Sequence, residues 1–466
     1  MENSTKILIV LLLGGIMAAI DGSIVLLAFP TISQDLNANL ASSIWTLLIY
    51  MIVSATLTVQ LGRVGDIYGR AKMFNLGFVV FTLASATAGF APDILSLIIS
   101  RGVQAIGSSL MLANSGAIVA DVFPKEKLGR AFGYIASGWS VGGILGIALG
   151  GVITTLLGWR YIFYINLPIG AVALYLGLKY LKDVNVRKRR HLDIVGMLLL
   201  ASSLCFISFG VLDLIVNTTG ISAYLVAAGL LFGAIFLIYE HRHPDPLIDL
   251  RHFRNRILRY SMLAAFFMSV GYMGVTFLVI LYLQGIRGLS PLNAALLFMP
   301  GYLISGFLAP QMGKLSDRFG ARTIATAGIL CFAAATLVYI TLSAATDVYI
   351  VLLASVFTGV GVAMFFPANN KAVMSNAPKG SYGVINGILR NISGIGVLFS
   401  YVIAIFIAFA SLPPATAEQL FVGTTTVIGG ISDVFIHGIH VALAVAFVFI
   451  IIAGVFSLVR GKEQKK

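Results

Sequence analysis

Charge is what this chain most lacks. Only 11% of its 466 residues are Asp, Glu, Lys or Arg, against about a quarter in a soluble domain, which excludes an ordinary water-soluble globule. Cysteine is nearly absent: Cys205 and Cys331 both fall inside apolar runs, so neither a disulfide framework nor a thiolate metal site is expected. No cluster of His, Glu or Cys has ligand spacing, and no Gly-xxxx-Gly-Lys-Ser/Thr loop occurs to cradle a nucleotide. No polar stretch is long enough for a soluble catalytic or sensory domain. A membrane enzyme, an ATP-driven pump and a receptor with a soluble sensor are therefore disfavoured, and no metal or cofactor is expected.

What the chain has instead is apolar length. With 59% hydrophobic residues, it contains fourteen apolar runs of about 20 residues, each enough to cross a bilayer core of roughly 30 Å. The expected fold class is an all-α polytopic membrane protein with 14 transmembrane helices. The net charge of +13 is explained by position. Lys and Arg cluster in alternate loops, at Arg63, Arg70 and Lys72, at Lys125, Lys127 and Arg130, in "KDVNVRKRRH" and "RHFRNRILR", at Lys314, Arg318 and Arg322, and in the tail "RGKEQKK". The loops between, such as "APD", "NTTG" and "ATD", have none. By the positive-inside rule both termini are cytoplasmic. The basic partner surface is anionic membrane lipid, and nucleic acid is not expected.

The sequence repeats itself. "GRVGDIYGRAK" from Gly62 returns as "GKLSDRFGAR" from Gly313, aligning Asp66 with Asp317 and Gly69 with Gly320 at an offset of 251. "GSSLMLANS" from Gly107 returns as "GVAMFFPANN" from Gly361 at an offset of 254. Two parallel halves of six helices follow, an arrangement that places a substrate site between repeats. Residues 1–182 form the N-terminal bundle, 183–256 hold two inserted helices with basic linkers, and 257–466 form the C-terminal bundle with a long outer loop at 411–435.

These motifs resemble those of the major facilitator superfamily, and specifically its fourteen-helix drug:proton antiporter family of multidrug-efflux type. "GRVGDIYGRAK" resembles the superfamily's loop after helix 2, "AAIDGSIVLLAFPTI" the family's helix 1, and "RGVQAIG" its helix 4 motif; "GWRYIFYINLPIG", "HLDIVG" and "PLIDLRHFRNR" resemble segments of the fourteen-helix branch. Helix 5 departs from the pattern, with "GGILGIALGG" placing Ile147 where the antiporter motif has proline. Gly142, Gly146, Gly150 and Gly151 still offer a small-residue face for close packing. The resemblance implies the major facilitator fold, a multi-pass monomer of a prokaryotic plasma membrane, and antiport of lipophilic, often cationic, small molecules against protons. In the latch loops it implies that Gly62, Arg63, Asp66, Gly69, Arg70, Asp317 and Arg318 hold the two halves together in one conformation.

Ionisable groups deep in a membrane helix cost at least ~2.5–3.5 kcal/mol each and persist where paired or facing a wet cavity. Asp21 lies ~13 Å and Arg101 ~10 Å from the outer ends of their helices, so they share a depth. A proton-carrying carboxylate coupled to Arg101 is one reading, a static ion pair the other. Gln104 lies one turn from Arg101, on the same face. Arg390 lies near mid-membrane with no acidic neighbour in sequence, which favours a cavity-facing role. Met111, Trp139 and Phe266 are further candidates for the substrate lining, with packing or lipid contact as the alternative, and so are Asn114, Asn369 and Asn370, with hydrogen bonds across helices as theirs. One buried acid against two buried arginines suits a neutral, zwitterionic or anionic amphiphile better than a strong cation. The function expected is proton-coupled secondary export of lipophilic small molecules by alternating access.

Overall fold

The computed structural model describes residues 3–38, 40–124, 127–183, 193–216, 221–243, 254–289, 291–378, 382–409 and 430–461, and these are helical with short connections. The helices are α1 (Asn3–Asp35), α2 (Leu40–Tyr68), α3 (Arg70–Gly89), α4 (Ile94–Val122), α5 (Leu128–Leu156), α6 (Tyr161–Tyr164), α7 (Asn166–Tyr180), α8 (Ile194–Val216), α9 (Ile221–Arg242), α10 (Arg256–Leu281), α11 (Pro291–Phe319), α12 (Ala321–Ile340), α13 (Val348–Ser375), α14 (Tyr382–Phe409) and α15 (Gly430–Val459). The short α6 and α7 together make the sixth span. Thirteen spans among the described residues are long and apolar enough to cross a membrane. α11 has 29 residues and two internal prolines.

Local chemistry sets the helix starts. Asp93 accepts from the Ser96 N–H at 2.8 Å to cap α4, Asn255 caps α10 and Asp347 caps α13, each satisfying donors that a helix leaves open. Between α2 and α3, and again between α11 and α12, the chain turns through a single glycine with positive φ, Gly69 at 111° and Gly320 at 89°. Both carry the same motif position in the two halves.

In the N-terminal half α1 packs on α5, and α3 and α2 pack on α4; in the C-terminal half α10 packs on α14 and α15, and α13 on α11 and α12. The repeat is visible in atomic detail. A methyl group on Gly107 would lie 2.5 Å from the Phe81 nitrogen and 2.9 Å from the Gly77 carbonyl. One on Gly361 would lie 3.0 Å from the Phe332 nitrogen and 2.7 Å from the Gly328 carbonyl. The α3/α4 seam and the α12/α13 seam are therefore the same close crossing, built twice. The α8–α9 hairpin lies against α2, where Trp45 and Phe209 rings approach to 4.1 Å, and Gln60 donates to the Asp193 carbonyl at 2.8 Å.

The last helix starts at Gly430, earlier than the sequence expectation of an outer loop through residue 435. The rest of that loop, and most of the two basic linkers around the inserted helices, lie outside the described residues. One end of the bundle carries Lys6, Arg70, Asp121, Lys182, Arg256 and Arg318; it is called the basic end below. At the opposite end the two arginines Arg160 and Arg287 depart from the loop-charge pattern, and both are partnered. Arg160 pairs with Asp35 at 2.6 Å, and Arg287 donates to the carbonyls of Ala344 and Thr346. The Trp159 indole, followed by Arg160, holds the Asp35 carboxyl below its ordinary value.

Candidate functional site

Asp21 is wholly buried and is the centre of a polar cluster inside the N-terminal half. Its two carboxylate oxygens accept separate donors: Arg101 Nη1 at 2.6 Å and Gln104 Nε2 at 2.7 Å. Gln104 also donates to the Ser85 hydroxyl at 2.8 Å, and its own oxygen accepts from Arg101. Arg101 Nε reaches the Thr46 carbonyl at 3.3 Å, and its guanidinium lies 4.5 Å from the Tyr50 ring and 5.9 Å from that of Phe163. Asn166 adds a donor to Ser85 at 3.3 Å. Spans one, two, three, four and six all meet at this point. The depth match and the single helical turn from Arg101 to Gln104 anticipate the pairing. Tyr50, Ser85 and Asn166 were missed, because a lone hydroxyl or amide in an apolar run carries no sign of what it faces.

The repeated loops form a second polar assembly at the basic end. Arg70 Nε donates to Asp66 at 2.8 Å, and Arg70 also pairs with Asp121 at the end of α4. Its guanidinium lies 5.9 Å from the ring of Tyr382, the first residue of α14 in the other half. Asp317 crosses between the halves directly. Its carboxylate accepts the backbone N–H of Gly129 at 3.0 Å and of Arg130 at 3.1 Å, at the start of α5, while Lys371 from α13 approaches to 3.3 Å. Lys371 was not among the sequence candidates. Arg63 and Gly62 are buried beside Asp66, whereas Arg318 is exposed over the Phe319 ring.

The expected substrate lining divides. Met111 is fully buried in the α3/α4 seam, where a methyl on Gly77 would meet it at 2.6 Å. Asn114 is fully buried and donates to the Leu110 and Leu61 carbonyls. Asn369 is nearly fully buried, donating to the Ser261 carbonyl at 3.1 Å and accepting from Arg460. In this structure the side chains of these three join helices within a half. Phe266 meets Phe267 edge-on at 5.1 Å, and Asn370 is half-buried. Gly142 and Gly146 press α5 onto α1, where a methyl would lie 2.6 Å from the Ile16 carbonyl and 2.7 Å from the Ile20 carbonyl. Gly150 is buried further along α5, and Gly151 follows it in the helix.

Trp139 and Arg390 are different, because both are only half-buried. Two seams join the halves, α5 with α11 and α13, and α14 with α2 and α4, and both have their closest backbone approach at the basic end. A methyl on Gly313 would lie 2.2 Å from the Gly129 carbonyl, whereas one on Gly306, two turns further from that end, would lie 3.5 Å from Ser140. On the second seam a methyl on Gly387 would lie 3.0 Å from the Val59 Cα, and one on Gly394 3.8 Å from that of Ala55. Both seams loosen from backbone overlap to ordinary van der Waals contact away from the basic end, and the interface between the halves beyond Gly306 and Gly394 is called the gap below.

The Major Facilitator Superfamily profile matches residues 11–401. The riboflavin transporter RibZ of Clostridioides difficile is 31% identical over 405 residues, covering 86% of this chain and 88% of that one. The tetracenomycin C resistance and export protein of Streptomyces glaucescens is 30% identical over 84% of this chain and 73% of its own length. Multidrug transporter protein MdtP of Bacillus subtilis is 27% identical over 85% of this chain. Among solved structures, the human organic anion transporter MFSD10 superposes with a TM-score of 0.63 at 15% identity, covering 96% of this chain and 99% of that one. A bacterial homologue of the iron transporter ferroportin, in an outward-facing state, gives 0.64 at 14% identity, covering 97% and 99%; these two likenesses concern the fold. Profile, relatives and fold agree: the chain belongs to the Major Facilitator Superfamily of membrane transporters.

Proposed function

We propose that this protein exports lipophilic small molecules by alternating access, with the basic end in the cytoplasm and an inward proton as the driving ion. The observation that carries the reading is the buried Asp21–Arg101–Gln104 cluster. Taking up a proton on Asp21 removes an acceptor from the cluster and the negative partner of Arg101. Proton binding is thereby converted into a conformational preference.

The magnitudes are compatible. Breaking a buried ion pair by neutralising one partner costs about 3–5 kcal/mol. One proton entering across ~150 mV supplies ~3.5 kcal/mol, enough for a gradient of a few hundredfold in a neutral substrate. Because five of the six N-terminal spans meet at the cluster, losing the charge on Asp21 disturbs their packing together. Relatives named for multidrug transport and for tetracenomycin C resistance and export support a lipophilic cargo.

The test uses purified protein in liposomes with an imposed pH gradient and a fluorescent lipophilic dye. Asp21→Asn is expected to abolish accumulation against a gradient while leaving a monodisperse protein, because an amide cannot exchange the proton. If that variant still concentrates dye under the pH gradient, Asp21 is not the coupling group.

A further inference from the structure

Arg390 forms no hydrogen bond or ion pair among the described residues, and its Nε is buried without a partner. Buried polar groups are almost always satisfied, and a buried cation is normally paired. Its neighbour Asn391 is fully buried, and neither atom of its amide has a hydrogen-bond partner. Trp139 on α5 repeats the pattern, with its indole Nε1 buried and unpartnered.

Register decides where these groups point. Asn386, one turn before Arg390 on α14, donates to the Leu112 and Ala113 carbonyls of α4 at 2.8 Å, across the seam. Residues four apart share a helix face, so Arg390 also faces the other half, just beyond the tight contact at Gly387. Trp139 stands one turn before Gly143, which abuts the Tyr302 ring of α11 at 3.1 Å, and its indole nitrogen lies 3.5 Å from a methyl built on Gly15 of α1. Arg390 lies ~12 Å and Trp139 ~16 Å along their helices from the basic end. The two donors therefore stand on opposite halves at similar depth, with Arg390 on the face of α14 that Asn386 turns to the other half. Asp21 does not compensate the charge of Arg390, since both its oxygens are taken by Arg101 and Gln104.

We propose that the gap between the halves binds substrates carrying one negative charge on a flat apolar body, with Arg390 receiving the anionic group and the Trp139 indole N–H donating beside it. A guanidinium offers up to five donors in a planar fork matched to a carboxylate, and the indole supplies both an aromatic face and a donor. A quaternary cation at this position meets like charge with nothing to accept its neighbour's protons. The proposal rests on the transport reading above and adds the charge class of the cargo.

Three ligands of one shape separate the possibilities: a naphthalene carboxylate, its carboxamide and its trimethylammonium analogue. Binding to the purified full chain is measured by calorimetry, and transport of each in liposomes. The carboxylate is expected to bind about tenfold to a hundredfold more tightly than the carboxamide, the range of a charge-assisted hydrogen bond. Arg390→Gln should collapse that ratio towards one, and Arg390→Lys, which keeps the charge but not the fork, should restore part of it. A carboxylate-to-carboxamide ratio in Arg390→Gln equal to that of the parent protein, or a parent preference for the trimethylammonium compound, overturns the proposal while leaving the transporter reading intact. Transport of none of the three by the parent, with binding also absent, counts against both.

Discussion

Gly69 and Gly320 occupy the same motif position in the two halves, yet a methyl group would meet different surroundings at each. Both have positive φ, where a side chain costs roughly 1–2 kcal/mol. At Gly320 nothing lies within 4 Å of the added carbon, whereas at Gly69 the Asp183 carboxylate lies 2.3–2.8 Å away, held there by the Ala71 N–H at 2.7 Å. Gly320→Ala is expected to lower stability by the backbone penalty alone, about 1–2 kcal/mol, and Gly69→Ala by clearly more. Thermal unfolding of the two variants in the same detergent checks this; equal shifts would mean that Asp183 moves aside without consequence. The glycines themselves stand out in the sequence through the repeated "GDIYGR" and "SDRFGA" frames. The partner Asp183 does not, because it sits over a hundred residues away beside a basic linker.

At the scale of helices, apolar run length reveals nearly all of the described helices, including the hairpin α8 and α9. Two features escape that reading for identifiable reasons. α15 reaches back to Gly430, and an apolar-run reading misses this start because "GISDVF" is too polar to count as part of a membrane run. α6 and α7 read as one span because the interruption at Ile165 has no glycine, and Pro168 falls in the first turn of α7, where it is tolerated. The polar clusters were legible only in part. Asp21 and Arg101 announce themselves by charge in an oily run, whereas Met111, Asn114 and Asn369 look like lining residues until the crossing helices close over them. Orientation follows from the loop charges and is tested at two exposed, described positions. In a background with Cys205 and Cys331 replaced by Ser, Ala345→Cys is expected to react with an impermeant thiol reagent added outside intact cells. Lys182→Cys is expected to react only after the membrane is opened. The reverse pattern would place the basic end outside.

Across the whole molecule, several groups join the two halves, and Asp317 does so at the basic end. It acts as a capping residue for α5 supplied by the other half, accepting two N–H groups that the helix cannot satisfy itself. It also places negative charge at the positive end of the helix dipole. Asp317→Asn keeps the shape but removes the charge and replaces one acceptor with a donor. A cap of this kind is worth about 1–2 kcal/mol, so its weakening should shift the closed-to-open ratio at the basic end by about five- to thirtyfold. Spin labels at Lys182→Cys and Thr323→Cys, one on each half and both exposed, report that ratio as a distance distribution. In Asp317→Asn the longer-distance population is expected to grow. A carboxylate ligand that engages Arg390 and the Trp139 indole together requires the two halves to stay near one another, so it should draw the variant's distribution back towards the parent. A ligand binding both conformations equally cannot do so. If the distribution in Asp317→Asn matches that of the parent protein, the bonds from Asp317 to α5 are packing within a joint that stays shut, and the halves part elsewhere.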